Sequence, residues 1–511
     1  MNKYYLTTAI DYVNARPHLG TAYEKIGADC LARYKRLAGF DTYFLMGTDE
    51  HSTNVEREAR NLGKDPQAYT DEMALVFEDT WKSLHISYDQ FIRTTDPTHK
   101  RAVAHLFKTI HEKGFIYEGK YSGLYCEGCE EFKVEKDLID GKCPRHGTVP
   151  KFIEESNYFF ALSKFSDRLK AHILGHPDFI RPEMRKNEIL NVIESGLEDV
   201  SVSRAGKTWG VPLPIAPDQV VYVWFDALIN YISAIGYGSE AGAPQKLFEK
   251  YWPCDVHIIG KDITRFHCLI WPAMLMAAGV ELPESVFGHG FVYNRGEKMS
   301  KTLGNIVDPI NLANFFGADG LRYLLLREIA YDRDGDFTVD LFVTRYNAEL
   351  ANELGNLFSR TLSMTGRYFD GAVPAETAES AREAARLTRG VVDDYRREMD
   401  ALAFDKALAA MWRAVSDANR FVEERKPWAQ AKSQREALEV TIRALLEVLR
   451  MASVLCQPFM PEKTREMRSQ LGLAEQFTLD EAGQFGDATW KRIGTTAVLF
   501  PRIEADAEKS K

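Results

Sequence analysis

What most limits the folds open to this chain is an alternation of strand-like and helix-like segments that starts at once, breaks off near residue 115, and resumes after residue 212. The run Tyr4–Ile10 leads into an amphipathic helical stretch, and Asp41–Met46 repeats the pattern before Gly47-Thr48-Asp49-Glu50-His51. After the break come Val220–Phe225, Val256–Gly260 and Val286–Val292. Strands alternating with helices build a parallel α/β sheet, with ligands at the carboxyl ends of its strands. The interruption predicts a Rossmann-like sheet split by an insertion, whose two halves must meet to make one site.

Beyond about residue 345 the strand pattern stops. Leu408, Met411, Val415, Ala418 and Val422 recur at steps of 3 and 4, and Leu438, Ile442, Leu445 and Leu449 repeat the spacing. This is the stripe of amphipathic helices, so the last region is an α-helical bundle. The expected division is 1–115 and 213–295 for the two sheet halves, 116–212 for the insertion, and 296–345 for a lysine-bearing loop and linker. The bundle then takes 346–485, and an apolar tail at 486–511 packs back on the body.

At 511 residues with 45% apolar content the chain has ample material for several cores. No apolar run approaches the roughly 20 residues that span a bilayer. The N-terminus enters a strand without the apolar core of a secretory signal, so the expectation is a cytoplasmic protein without a membrane partner. Seven cysteines in so long a chain do not make a disulfide framework. Cys30, Cys254, Cys268 and Cys456 read as packing residues. A net charge of −10 neither marks nor excludes a nucleic-acid partner, because polyanion binding depends on local basic surface.

Two loops carry the chemistry. Asn14-Ala15-Arg16-Pro17-His18-Leu19-Gly20-Thr21 places an imidazole and a glycine where a strand turns into a helix N-terminus, a natural phosphate receptor. Gly296-Glu297-Lys298-Met299-Ser300-Lys301, about 280 residues further on, supplies two ammonium groups on a glycine-flanked loop. Alone, the first reads as turn punctuation and the second as a solvated loop. Together they can hold a triphosphate from two sides.

Within the insertion, Cys126-Glu127-Gly128-Cys129 and Cys143-Pro144-Arg145-His146 form two tight pairs joined by 13 residues. Three thiolates and an imidazole at these spacings predict one closed, structural zinc site with no open position for catalysis. The alternative is a set of free thiols in a turn-rich module.

The paired loops resemble the His-Ile-Gly-His and Lys-Met-Ser-Lys-Ser signatures of class I aminoacyl-tRNA synthetases, and further motifs narrow the resemblance to the methionyl-tRNA synthetase family. Gly47-Thr48-Asp49-Glu50-His51, Val223–Tyr231, Gly260-Lys261-Asp262-Ile263 and Phe266-His267 match it, and the single knuckle resembles its one-metal branch. In the helical region Gly355–Arg360 and Lys426-Pro427-Trp428 resemble its anticodon-reading elements. The insertion, about 95 residues long, leaves no room for a hydrolytic editing domain like that of the related leucine, isoleucine and valine enzymes.

The resemblance implies a methionine–tRNA ligase. Methionine would lie against Ile10, Tyr12, Asp49, Trp224, Ala227, Leu228, Tyr231, Ile263 and His267, with Tyr12 and His267 directing polar tips to the sulfur and Asp49 supporting the α-ammonium. ATP with Mg²⁺ would lie against Gly20, Thr21, Gly260, Asp262 and Lys301, with His18, Lys298 and Lys301 as the catalytic set. Asn356, Arg360 and Trp428 would read the anticodon of tRNA(Met), and Arg204 resembles a residue near the active site. Without the resemblance, Trp224, Tyr231 and Trp428 read as packed aromatics. Three positions depart from the family: Thr21 stands where a second histidine is usual, Asp11 where an aromatic is usual, and Ser52 where glycine is frequent. Two rivals remain, a catalytically idle tRNA-binding paralogue and another class I-like nucleotidyl transferase. Longer members append a dimerising domain that has no counterpart here, so a monomer is expected.

Overall fold

The structure, a computed structural model, describes residues 2–128, 131–144, 147–239, 242–299, 306–486 and 489–504. Aromatic and β-branched residues dominate β1 (Lys3–Thr8), which suits a pleated, buried strand and places it inside a seven-stranded sheet. The others are β2 (Asp11–Tyr12), β3 (Asp41–Asp49), β4 (Gln90–Arg93), β5 (Ile180–Arg181), β6 (Val256–Gly260) and β7 (Val286–His289). Their order is β2-β3-β1-β6-β7-β5, with β4 also paired to β3, and every pairing is parallel.

The two halves of the interrupted pattern meet at β1. On one side it runs with β3, from Lys3 opposite Asp41 to Thr7 opposite Leu45. On the other it runs with β6, from Leu6 opposite Val256 to Thr8 opposite Ile258. The chain leaves β1 and β6 towards opposite edges of the sheet. Such a reversal opens a crevice beyond the strand ends, where open α/β sheets take their ligands. Helix α1 (Leu19–Leu37) starts at that crevice, while α2 (Pro97–Glu112) shares a core with α3 (Val223–Leu228), which lines the crevice. The expectation of a parallel strand over Val220–Phe225 needs correcting, because the strand there, Ala216–Val221, pairs antiparallel in a separate small sheet and the chain turns helical from Val223.

The segment 116–212 contains an antiparallel sheet of its own, together with the helices Ser166–Gly175 and Glu183–Glu194. Ile116–Cys126 pairs with Lys151–Phe160 in continuous register from Ile116 opposite Phe160 to Tyr125 opposite Lys151, flanked by Glu131–Lys133 and Val200–Ser201. The expectation that this whole segment lies outside the parallel sheet needs correcting, because β5 returns to its edge beside β7. A two-residue strand carries no periodicity, so nothing in the sequence announces it.

The C-terminal region is helical, and its helices include α4 (Ala318–Glu328), α5 (Asn356–Phe369), α6 (Phe404–Arg425), α7 (Arg435–Leu455) and α8 (Pro461–Leu471). Every residue of the two apolar stripes read from the sequence is buried. Among the described residues no strand follows Arg345, and no helix is long and apolar enough to cross a membrane. Leu499 and Phe500 are buried against the body, and Ile503 exchanges two backbone bonds with the Asn347 side chain, at 2.9 and 2.7 Å.

The bundle is tied to the sheet domain through Arg322, which has no exposed surface. Its guanidinium pairs with Asp29 of α1 at 2.7 Å and donates to the carbonyl of Leu84 at 3.2 Å. On the other side it donates to the carbonyls of Pro458 and Phe459 at 2.9 and 3.0 Å. One planar fork thus satisfies carbonyls from both domains.

Candidate active site

At the crevice beyond β1 and β6 lies a cavity of about 400 Å³. It is lined by Ile10, Tyr12, Asp49, Trp224, Ala227, Leu228, Tyr231, Ile263 and His267, and also by His18, Gly20, Thr21, Gly260 and Asp262. Residues from both halves of the split sheet therefore share one space.

His18 is the N-cap of α1. Its Nδ1 accepts from the backbone N–H of Gly20 at 3.0 Å and of Thr21 at 3.3 Å. An accepting Nδ1 puts the proton of the neutral ring on Nε2. The first N–H groups of α1 face the imidazole, so the helix end acts on a ligand through that ring. Gly20 leaves room for the ring: a Cβ there would stand 3.0 Å from His18 Cε1, tight enough to press on the imidazole. At Gly260 a Cβ would stand 2.9 Å from Asp262 Oδ1, so the bare backbone lets that carboxylate fold over it.

The apolar wall is aromatic. Trp224 stacks on Phe266 at 3.9 Å between centroids, and Tyr12 meets Trp224 edge-on at 6.2 Å. Burial holds the imidazole of His267 down to about 4, so the ring is neutral near pH 7. Its Nδ1 lies 3.1 Å from the Ile263 carbonyl and must donate there. Nε2 then accepts from the Tyr231 hydroxyl at 2.7 Å. Both ring nitrogens are engaged within the protein, so His267 lines the cavity with its bonds to Ile263 and Tyr231 in place.

The segments bearing this wall are anchored by a carboxylate that the sequence did not single out. Asp226 of α3, fully buried, meets His51 Nδ1 at 2.7 Å and His99 Nε2 at 2.9 Å. Burial works to raise this carboxyl, but the two histidines outweigh it and hold it at about 2. It joins the loop after Asp49, helix α2 and the helix carrying Trp224 and Ala227. Next to Asp49, Glu50 is buried and held by Arg93, at 2.7 and 3.0 Å. Phe266 and Asp226 stand beside residues that were singled out. Their partners lie far away in the chain, and for His99 no sequence signal exists.

Lys298 lies in the short strand Glu297–Lys298, its backbone opposite Tyr293. Met299 follows, buried and lining the cavity, which puts this loop against the first turn of α1. Lys301 lies outside the described residues. Arg204 does not line the cavity; its guanidinium sits 4.0 Å over the ring of Tyr222, the residue that precedes α3. In the insertion Cys126 and Cys143 are buried against each other, while Cys129 and His146 lie outside the described residues. Among the described residues no three His, Cys, Asp or Glu side chains gather as a metal site. In the bundle, Asn356 is exposed at the start of α5, and Arg360 stands 5.8 Å from the Trp428 ring and 2.8 Å from Glu423. The Trp428 indole is 42% exposed.

Comparison with known proteins agrees with this geometry. Residues 4–148 and 133–362 match the family model of class I tRNA synthetases (M), and residues 373–510 match that of the anticodon binding domain of methionyl tRNA ligase. The chain is 44% identical to the methionine–tRNA ligase of Caldanaerobacter subterraneus over 512 residues, covering 99% of this chain and 80% of that protein. With that of Clostridium perfringens it shares 45% identity, covering 98% and 78%. Among solved structures, Mycobacterium tuberculosis methionyl-tRNA synthetase in complex with methionyl-adenylate superposes with a TM-score of 0.93 at 43% identity, covering 98% of this chain and 100% of that one. The chain belongs to the methionyl-tRNA synthetase family of class I tRNA synthetases.

Proposed function

We propose that this chain is a methionine–tRNA ligase, which activates methionine with ATP and transfers it to the 3′-terminal ribose of tRNA(Met). The observation that carries the reading is the single cavity in which an aromatic wall and the His18 and Gly260 turns face one another. A thioether suits such a wall, being flexible and weakly polar.

In the first step a methionine carboxylate oxygen attacks the α-phosphorus of ATP. The bond from that phosphorus to the bridging oxygen of pyrophosphate breaks, leaving methionyl-adenylate. The protein forms no bond; it aligns the reactants and stabilises charge on the phosphates. His18 offers Nε2–H to phosphate oxygen, Lys298 and Lys301 close on the β- and γ-phosphates, and Asp262 accepts from the ribose hydroxyls. Asp49 supports the α-ammonium, and His267 orients the Tyr231 hydroxyl. Mg²⁺ accompanies ATP, held mainly by its phosphates. In the second step the terminal 2′-hydroxyl of the tRNA attacks the mixed anhydride and releases AMP, its proton passing to the leaving phosphate.

Cys126, Cys129, Cys143 and His146 hold one structural zinc; the mutual burial of Cys126 and Cys143 supports this, because thiolates suit that ion. Asn356, Arg360 and Trp428 read the anticodon, Trp428 by stacking. The domain limits given above, with Ile180–Arg181 reassigned to the catalytic sheet, a monomeric state and a cytoplasmic location complete the reading. The test is methionine-dependent ATP–pyrophosphate exchange, followed by charging of tRNA(Met). Exchange without charging would favour a nucleotidyl transferase that uses no tRNA, and neither activity would favour an idle paralogue.

A further inference from the structure

One fully buried lysine has no part in the chemistry above. Lys25, on the second turn of α1, exposes no surface, yet its ammonium is fully engaged. Nζ donates to Glu24 Oε1 at 2.6 Å and to the Ala9 carbonyl at 2.7 Å, and pairs with Asp11 Oδ2 at 3.1 Å. Glu24 continues the run, its Oε2 lying 3.0 Å from His289 Nε2, while His289 Nδ1 lies 2.7 Å from the Gly290 carbonyl. Asp11, Glu24, His289 and Gly290 all line the cavity.

The run is continuous from the β1–β2 segment, through α1, to the end of β7. The first of these carries Ile10 and Tyr12. The last leads into the hairpin that ends at Lys298. A buried ion pair stabilises a fold little compared with apolar side chains of the same volume, so what this one supplies is geometry. Asp11 replaces the aromatic usual in the family, and here it faces an ammonium.

We propose that Lys25 and Asp11 are positioning residues for methionine activation: the buried ammonium grips the backbone at Ala9 and the carboxylate at Asp11, setting Ile10 and Tyr12 against the methionine side chain, while Glu24 extends the grip to His289 and the segment that bears Lys298. This rests on the methionine–tRNA ligase reading. Asp11 and Lys25 act on methionine only through their neighbours, so their loss weakens binding without removing a group that touches the transferring phosphate.

The test uses the full-length protein and three variants, Asp11→Asn, Lys25→Met and Glu24→Gln, in methionine-dependent pyrophosphate exchange. Methionine titrations of intrinsic tryptophan fluorescence and thermal melts accompany it. Asp11→Asn raises the methionine KM and Kd about tenfold, with kcat and the ATP KM within about twofold of the parent. Glu24→Gln raises the ATP KM instead, and Lys25→Met raises both. A folded Asp11→Asn protein with parental methionine KM and Kd overturns the proposal. So do melts that fall together with kcat while both KM values stay put, since that is the mark of a cluster that only stabilises the fold. If Lys25→Met fails to fold, the other two variants decide. A parent without methionine-dependent exchange overturns the ligase reading and this proposal together; an active parent with unmoved KM values overturns this proposal alone.

Discussion

His18, Asp226 and His267 share one physical device: a titratable side chain whose hydrogen bonds within the protein decide what it can offer. At Asp226 the device has a measurable consequence. A carboxylate held at about 2 when folded and near its ordinary value of about 4 when unfolded contributes stability above pH 4. That contribution is lost as pH falls from about 4 towards 2. Asp226→Asn is therefore expected to be less stable than the parent by about 2–3 kcal/mol at pH 7, with the gap closing below pH 4. Melting midpoints at pH 7 and pH 3 check this; an equal gap at both would show that the carboxylate charge is not what matters. A second residue-scale prediction concerns Lys301. If it stabilises the transferring phosphates, Lys301→Ala slows pyrophosphate exchange by on the order of 10²–10³-fold while leaving methionine binding unchanged, as expected for loss of one preorganised donor. Near-parental exchange would remove Lys301 from the mechanism.

Among the elements, the insertion and the helical bundle each carry a separable claim. The long hairpin of Ile116–Cys126 and Lys151–Phe160 pairs in continuous register, and Cys126, at the end of its first strand, is buried against Cys143. The purified protein is accordingly expected to hold about one zinc per chain. Cys126→Ala loses the metal while exchange activity persists; metal analysis that finds none in the parent refutes the site. In the bundle, Trp428 opens a short helix and leaves 42% of its surface to solvent, in contrast to the packed indole that a Pro-Trp helix start suggests by itself. Losing one base–aromatic stack costs about 1–3 kcal/mol, so Trp428→Ala raises the tRNA concentration needed for charging by about 5- to 150-fold and spares exchange. Parallel loss of both activities would make Trp428 a structural residue.

For the molecule as a whole, Arg322 is where α1, which His18 caps, meets the bundle. Breaking a buried ion pair from one side costs about 3–5 kcal/mol, so Arg322→Met is expected to lower the melting temperature sharply and to reduce charging more than exchange. Equal reductions would mean that the clamp only stabilises. Much of this architecture was legible beforehand because its signals are local. Alternating strand and helix patterns, 3.6-residue stripes and clustered motifs each depend on neighbours in sequence, and they led to the split parallel sheet, the bundle and the residues lining one cavity. What was not legible depends on pairs distant in the chain. Strand β5 is too short to have a period. Asp226 reaches back 175 and 127 residues to His51 and His99, and Arg322 reaches 136 and 137 residues forward to Pro458 and Phe459. The sequence alone therefore determined which elements form and which residue types the chemistry needs. Only the tertiary structure decided which way each ring points and which buried charge answers which, because hydrogen-bond partners are chosen by proximity in space.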